Sequence, residues 1–488
     1  MPQKTSQSNT SKAEKVDKKA KFTTGSTMRH VVTMTSTGSI GLVAIFLVDF
    51  ANLFYISQLG INELAAAIGY AGTILFFSTA IGIGLSIAAS ANVSRLLGAG
   101  KTESARSMAG SALLSTVVIA LVIAAIIYPY LPAIVALLGA RGTTAQYSVD
   151  FLRIVIPSMP LLCLGMSLSA LLRAVGDAKQ AMTLTLLAGI TTALLDPIFI
   201  FVFDLGLTGA AIVSIISRCI MVSLGLYLVI YKHGLLAWPQ KRNVSSDIQA
   251  LMRIALPAVL TNVATPVGNA WVTSEIASFG NEAVAGWAIV GRVTPVAFAA
   301  LFALSGAIGP ILGQNLGARL FKRLNMVLSD AIKFIMAYSL VAWTGLFLLQ
   351  DVLANAFNAH GQAYDLLSFF CSFAAAGFIF NAALFVSNAA FNNLGYPLYS
   401  TAFNWARATL GTIPFTIIGA RLYGAEGVLA GQAIGGIIFG LLALFVCRKT
   451  ISWIEAKDSS GDLPPPPKQG YWRMALSAFT SGKGASAG

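Results

Sequence analysis

Charge is what this chain has least of. Only 10% of its 488 residues are charged, against 56% hydrophobic, whereas a soluble domain carries about a quarter charged residues. So little charge cannot coat a surface that faces water on all sides, which excludes an ordinary soluble globule. Cysteine is scarce too: Cys163, Cys219, Cys371 and Cys447 stand far apart in apolar segments without CxxC spacing, and read as small packing residues. The three histidines, His30, His233 and His360, form no ligand pair, so neither a metal centre nor any other cofactor is expected. The lysine-rich N-terminus has no apolar h-region, which excludes a signal peptide. Gly98-Ala-Gly-Lys-Thr102 resembles the end of a phosphate loop, but Arg95 stands where that loop needs its first glycine.

What the chain has is long apolar runs, each near the roughly 20 residues that cross a bilayer core. Gly, Pro and charge clusters divide them into twelve spans, at about 28–57, 61–92, 105–129, 143–172, 180–203 and 207–231, then 249–277, 282–314, 326–350, 363–391, 398–420 and 425–447. The net charge of +13 is gathered in alternate loops and the tails. Arg95, Lys101 and Arg106, then Arg173 and Lys179, Lys232 to Arg253, and Arg319 to Arg323 share one side; Arg141 and Arg421 lie on the other. That is membrane topology rather than a nucleic-acid groove, and it places both termini in the cytoplasm of a bacterial inner membrane protein. The expected organisation is a disordered basic tail (1–27), an N-lobe of six spans (28–231), a cytoplasmic linker (232–248), a C-lobe of six spans (249–450) and a cytoplasmic tail (451–488).

The halves repeat. A shift of 219 positions pairs Asn62-Glu63 with Asn281-Glu282, Leu85-Ser86 with Leu304-Ser305, and Leu97-Gly98-Ala99 with Leu316-Gly317-Ala318. Six spans per copy means that both copies enter the bilayer the same way. The expected architecture is therefore an all-α membrane protein of two pseudo-symmetric six-helix bundles in parallel repeat, with the functional cavity between them.

Most acidic residues fall in loops, tails or span ends. Asp49 and Asp196 alone lie deep in spans, where an unpaired carboxylate costs several kcal/mol and tends to bind a proton or cation. By helical rise Asp49 lies roughly 16 Å below the corner at Gly60, and Asp196 roughly 12 Å below Asp204. The two are thus expected to share a level, as proton or cation coupling residues. Asn52 follows Asp49 on the same helix face and can bond it. Pro197 removes a backbone donor beside Asp196 and is a candidate hinge. In the second lobe Arg292, Asn381 and Asn388 are candidate cavity residues, and Arg407 is a further buried polar position. Gly431-Gln-Ala-Ile-Gly435 reads as helix packing. No nucleophile–base pair or metal cluster supports an enzyme.

Val48-Asp49 in span 1, Leu172-Arg-Ala-Val-Gly-Asp177 after span 4, Leu195-Asp-Pro-Ile-Phe-Ile200 in span 5 and Leu205-Gly-Leu-Thr-Gly-Ala-Ala211 opening span 6 resemble the MATE (multidrug and toxic compound extrusion) transporters, in their DinF-like branch. The resemblance covers about residues 28–450. It implies a V-shaped pair of bundles that alternates between outward- and inward-open forms. It implies export of small organic compounds, cationic or amphipathic, in exchange for H+ or Na+, by a protein read here as a monomer. It also implies coupling through Asp49 and Asp196, with a supporting hydroxyl at Ser214. Thr192 replaces the family's usual Asn one turn before Asp196, and Thr265 replaces a Glu of the Na+-linked branch; both departures favour H+. The rival within the superfamily is a lipid-linked oligosaccharide flippase, which needs a strongly basic cavity.

Overall fold

The computed structural model describes residues 20–57, 62–239 and 244–459. The corner at Gly60, parts of the expected tails and linker, and the side chain of Asp49 lie outside the described residues. In a bilayer each backbone N–H and C=O must be bonded within the protein, so long apolar runs become helices; among the described residues there are helices and no strands. The spans are α1 (Thr27–Ser57), α2 (Asn62–Gly98), α3 (Thr102–Ile127), α4 (Gly142–Ala174), α5 (Ala178–Val202) and α6 (Gly206–Lys232). They continue with α7 (Val244–Ala277), α8 (Asn281–Ala297, broken at Phe298, then Ala299–Gly317) and α9 (Phe321–Ala356). Next come α10 (Gln362–Ser372, then Phe378–Leu394), α11 (Pro397–Ala408, resuming at 413–422) and α12 (425–459), where Tyr423 and Gly424 leave the helical region and reverse the chain.

The lobes repeat in packing as in sequence. In the N-lobe α1 packs on α5 and α2 on α4; in the C-lobe α7 packs on α11 and α8 on α10. Across the lobes α2 meets α7 and α8 meets α1, which are the same contact under the repeat, while α2 and α8 meet on the pseudo-axis. Gly431 faces the Phe415 carbonyl and Gly435 the Gly411 carbonyl, so that small-residue pattern is indeed a packing face between α11 and α12.

The lobes are closed at the end that carries the basic loops. The backbone of Gln314 lies against Gly98 so closely that a Cβ there would collide with its carbonyl oxygen, and a Cβ on Gly317 would collide with that of Arg95. Under the offset of 219, Gly98 maps to Gly317 and Arg95 to Gln314, so this is one contact made twice about the pseudo-axis. Arg95 Nη2 donates to the Asn393 carbonyl, and Gln314 Nε2 donates to the Ala174 carbonyl (2.8 Å).

The N-terminal segment adds to this closure, which corrects the expectation of a disordered arm up to residue 27. Residues Lys21–Thr23 form a 3-10 turn with Phe22 buried. The Phe22 N–H donates to Gln314 Oε1 (2.8 Å), and its carbonyl accepts from Asn315 Nδ2 (3.1 Å) and Arg323 Nη2 (3.1 Å). Lys21 Nζ donates to the Gly176 carbonyl in the other lobe (3.0 Å). A strap thus ties the two lobes together, because the buried amide groups of Gln314 and Asn315 take its backbone as their partner.

The closure predicts a conformational phenotype. Leucine at both Gly98 and Gly317 would overpack the contact, a defect that costs roughly 1–3 kcal/mol per site. In a Cys219→Ser background, a Ser94→Cys probe buried at this end should resist a thiol reagent, and should react once Gly98→Leu and Gly317→Leu are added. Equal protection in both proteins would show that the glycines do not hold this end shut.

Candidate functional site

Beyond the closed end the lobes part around a cavity of about 1210 Å³ lined from both sides. On α1 the lining residues Leu42, Ile45, Val48 and Asn52 recur at helical spacing, and on α5 so do Thr185, Ala188, Gly189 and Thr192. Asp196 is the next position of the α5 series. It is 1% exposed, and neither carboxylate oxygen has a hydrogen-bond partner among the described residues. Pro197 follows, and the helix then widens into a π-turn over Ile198–Val202, where the Phe203 N–H donates to the Ile198 carbonyl (2.9 Å). Gly209 at the start of α6 lies on the Phe199 carbonyl. The acid therefore sits where regular helix gives way to looser backbone, a recurrent setting for functional residues.

The helical register corrects the expectation that the two aspartates share a level. A Cβ on Gly189 would stand 3.3 Å from Val48, and α1 and α5 run the same way. Asp49 is one residue past that contact and Asp196 seven, so their backbones differ by roughly 9 Å along the helices. The sequence estimate measured each acid from its own corner, which says nothing of how α1 and α5 slide past one another. Asn52 lines the cavity with its Oδ1 buried and unpartnered among the described residues. Thr192 and Ser214 also line it, but their hydroxyls donate to carbonyls of their own helices, Ala188 (3.1 Å) and Ala210 (3.0 Å), rather than to Asp196.

In the C-lobe Asn388 lines the cavity and its Oδ1 is unpartnered among the described residues. Arg292 does not line it: the side chain is exposed on the first piece of α8, which carries it away from the cavity. Asn381 is directed at Gly436 on α12, in the interior of the C-lobe. Arg407 Nη2 donates to Thr265 Oγ1 (3.3 Å).

The two charged residues of the described lining were not singled out from the sequence. Arg218 stands in the middle of α6, and Arg173 at the end of α4 where it reads as a loop charge; both line the cavity. The signal for Arg218 was present, since a lone arginine inside an apolar span marks a functional position as an aspartate does. No described lining residue is acidic. Among the described residues, no three of His, Cys, Asp and Glu gather as a metal site would require.

Asp177 also proves more than a solvated loop charge. It caps α5 by accepting from the Gln180 N–H (3.2 Å), and it meets Lys232 (3.2 Å) and His233 (3.0 Å) at the end of α6. Burial alone would raise this carboxyl, but the Gln180 N–H, Lys232 and His233 outweigh it and hold it below the ordinary carboxylate range. Together with the left-handed Gly176 (φ +84°) against the strap, this gives the Leu172 to Asp177 motif a structural purpose.

Twelve membrane-spanning helices among the described residues, in two related lobes around a cavity closed at one end, are the architecture of a multi-pass membrane transporter. The chain belongs to the MatE family, whose model matches residues 39–198 and 257–418. An FAD transporter of Shewanella oneidensis is 29% identical over 88% of this chain and 96% of that one. The multidrug export protein MepA of Staphylococcus haemolyticus is 25% identical over 83% and 90%. The crystal structure of the Vibrio cholerae MATE transporter VcmN in the bent form superimposes with a TM-score of 0.83, at 26% identity over 88% of this chain and 97% of that one. The fold is thus the V-shaped MATE fold, and the chain is a transporter of small substrates rather than an enzyme.

Because the Asp177 carboxyl is held low in the folded protein, its contribution is complete above about pH 4, the ordinary carboxylate value, and is lost as pH falls through the lowered folded value. Asp177→Asn keeps an oxygen to cap α5 but loses the charge that meets Lys232. It should therefore lower the melting temperature at pH 7, by the worth of a partly exposed ion pair, about 0.5 kcal/mol, and should narrow the gap to the parent in strong acid. An unchanged gap across that range would remove Asp177 from this role.

Proposed function

We propose that the chain is a secondary active antiporter of the inner membrane that exports amphipathic organic compounds in exchange for H+ by alternating access. Asp49 and Asp196 are its coupling residues. The observation that carries this reading is the Asp196 carboxylate, buried in a membrane span without a bonding partner among the described residues. A carboxylate so placed is far less costly when it holds a proton or cation, and the π-turn beside it is a recurrent feature of functional sites. Protonation stabilises one state of the N-lobe and loaded substrate the other, which is all that exchange requires. With Asp49 and Asp196 roughly 9 Å apart along parallel helices, the two act as separate proton positions. H+ is favoured over Na+ because Thr192 and Thr265 stand where the family's Asn and the Na+-linked branch's Glu would each supply a stronger cation ligand, leaving a thin ligand set for a metal cation.

The cytoplasmic position of both termini rests on the loop charges. The name of the MepA relative supports a drug-like cargo. The cavity narrows the expected chemistry, since without a described acid it offers a cation little. The relative named as an FAD transporter, and the two arginines, favour a second reading in which the cargo is anionic.

Full-length protein in liposomes under an imposed pH gradient should drive uphill efflux, and a Na+ gradient alone should not. Asp196→Asn and Asp49→Asn should each abolish the uphill component, by at least about 100-fold for loss of a buried coupling charge, while passive exchange and melting remain. Proton-driven accumulation by either variant at the parent's level would overturn the assignment.

A further inference from the structure

The two walls of the cavity differ in chemistry. On the N-lobe wall, Arg218 Nη1 donates to the Val155 carbonyl (3.3 Å) and to Ser158 Oγ (2.5 Å). Its Nε and Nη2 bond nothing among the described residues. Arg173 Nη1 donates to Ser169 Oγ (2.9 Å), and its other nitrogens are likewise free. Neither arginine forms an ion pair among the described residues. Arg95 and Arg407 also leave nitrogens unbonded among the described residues, but only Arg218 and Arg173 line the cavity, where a ligand can reach the idle donors.

The C-lobe wall is different. Asn262, Asn393 and Asn404 each use the side-chain nitrogen to donate to a carbonyl one turn back, of Ala258 (2.8 Å), Ala389 (2.9 Å) and Ser400 (2.7 Å). Those bonds fix which amide atom is nitrogen, since only the NH₂ can face a carbonyl. Oδ1 is the amide atom left over, and in Asn388 and Asn393 it is buried without a partner among the described residues, that of Asn393 beside Gly313. The N-lobe wall thus carries the positive charge, and the C-lobe wall is neutral and rich in asparagine.

We propose that the cavity binds an organic anion in one orientation, its phosphate or carboxylate on Arg218 and its neutral polar body against the asparagines of the C-lobe. Arg218 is the principal anion-binding residue, because its guanidinium fork matches two oxygens of such a group. Arg173 lies at the floor: Ser169, which it bonds, is eleven residues beyond Ser158 on α4, roughly 16 Å by helical rise. One anionic group cannot touch both arginines, so Arg173 forms a second station nearer the closed end, where an anion entering from the basic-loop side is met first. This inference rests on the reading of the cavity as the transport site, and needs nothing of the coupling assignment.

The test is equilibrium binding without any gradient. Full-length protein in phosphatidylcholine nanodiscs is titrated with carboxyfluorescein and with rhodamine 6G, two xanthene dyes of opposite charge, read by fluorescence polarisation against empty nanodiscs. Carboxyfluorescein should bind more tightly by about tenfold or more, the effect of one charge-assisted bond. Arg218→Gln should lose that preference, and Arg218→Lys should keep part of it. Ser158→Ala removes a packing bond of the arginine but not its charge, and should keep the preference; this separates a binding role from a structural one. Asp196→Asn should also keep it, so a failed coupling assignment and a failed anion site give different results. Tighter binding of rhodamine 6G, an unchanged preference in Arg218→Gln, or binding of neither dye would overturn the proposal.

Discussion

Everything else in the molecule is arranged around two backbones that touch. At the end with the basic loops the chain of one lobe runs against the chain of the other at Gly98 and Gly317, and no side chain fits between them. That approach brings the lobes together at one end, leaves them apart around the cavity, and brings α1 against α8 and α2 against α7. The rest is long apolar helix, whose internal hydrogen bonds the bilayer makes obligatory. A protein so constrained has few kinds of irregular backbone among its described residues: the π-turns that finish α5 and α6, the 3-10 turn at Ile156–Ser158 in α4, the breaks in α8, α10 and α11, and the reversal at Tyr423 and Gly424. The first of these lies beside the most deeply buried acid.

The cavity shows how charge is used when there is little of it. An arginine facing an open cavity in a membrane span keeps some solvation and avoids the full cost of burial, yet remains ready for a ligand. The asparagines opposite are neutral, and Asn262, Asn393 and Asn404 satisfy a donor on their own helices. The polarity of the site comes from the division of labour between the lobes. The repeat supplies a scaffold, and divergence within it has made one wall basic and the other neutral. Acid and base are also kept apart, with Asp196 behind the lining and the arginines on it.

Much of the fold was legible in the sequence because a bilayer leaves so few options. Twelve spans follow from run length, the two lobes from the fixed offset between Leu97-Gly98-Ala99 and Leu316-Gly317-Ala318, and the packing role of Gly431 and Gly435 from their spacing. The site was legible only in part. The depth of Asp196 could be read from its apolar neighbours, but its height relative to Asp49 could not, because that depends on how α1 and α5 slide past one another. Arg292 looked buried because periodicity cannot show which face of a long helix meets the cavity. Arg173 looked like a loop charge because a side chain at a helix end can turn either way. The strap at Phe22 had no signature at all: it is ordered by Gln314, Asn315 and Arg323, nearly three hundred positions away.

That strap changes what kind of equilibrium the transporter has. Its turn is held by groups from both lobes, which the shut end brings together. It therefore behaves as a ligand of one conformation, tethered to the protein that it binds and present at a local concentration that no dilution lowers. The balance between closed and open ends is set partly by a length of chain outside the twelve spans, so the protein carries its own effector.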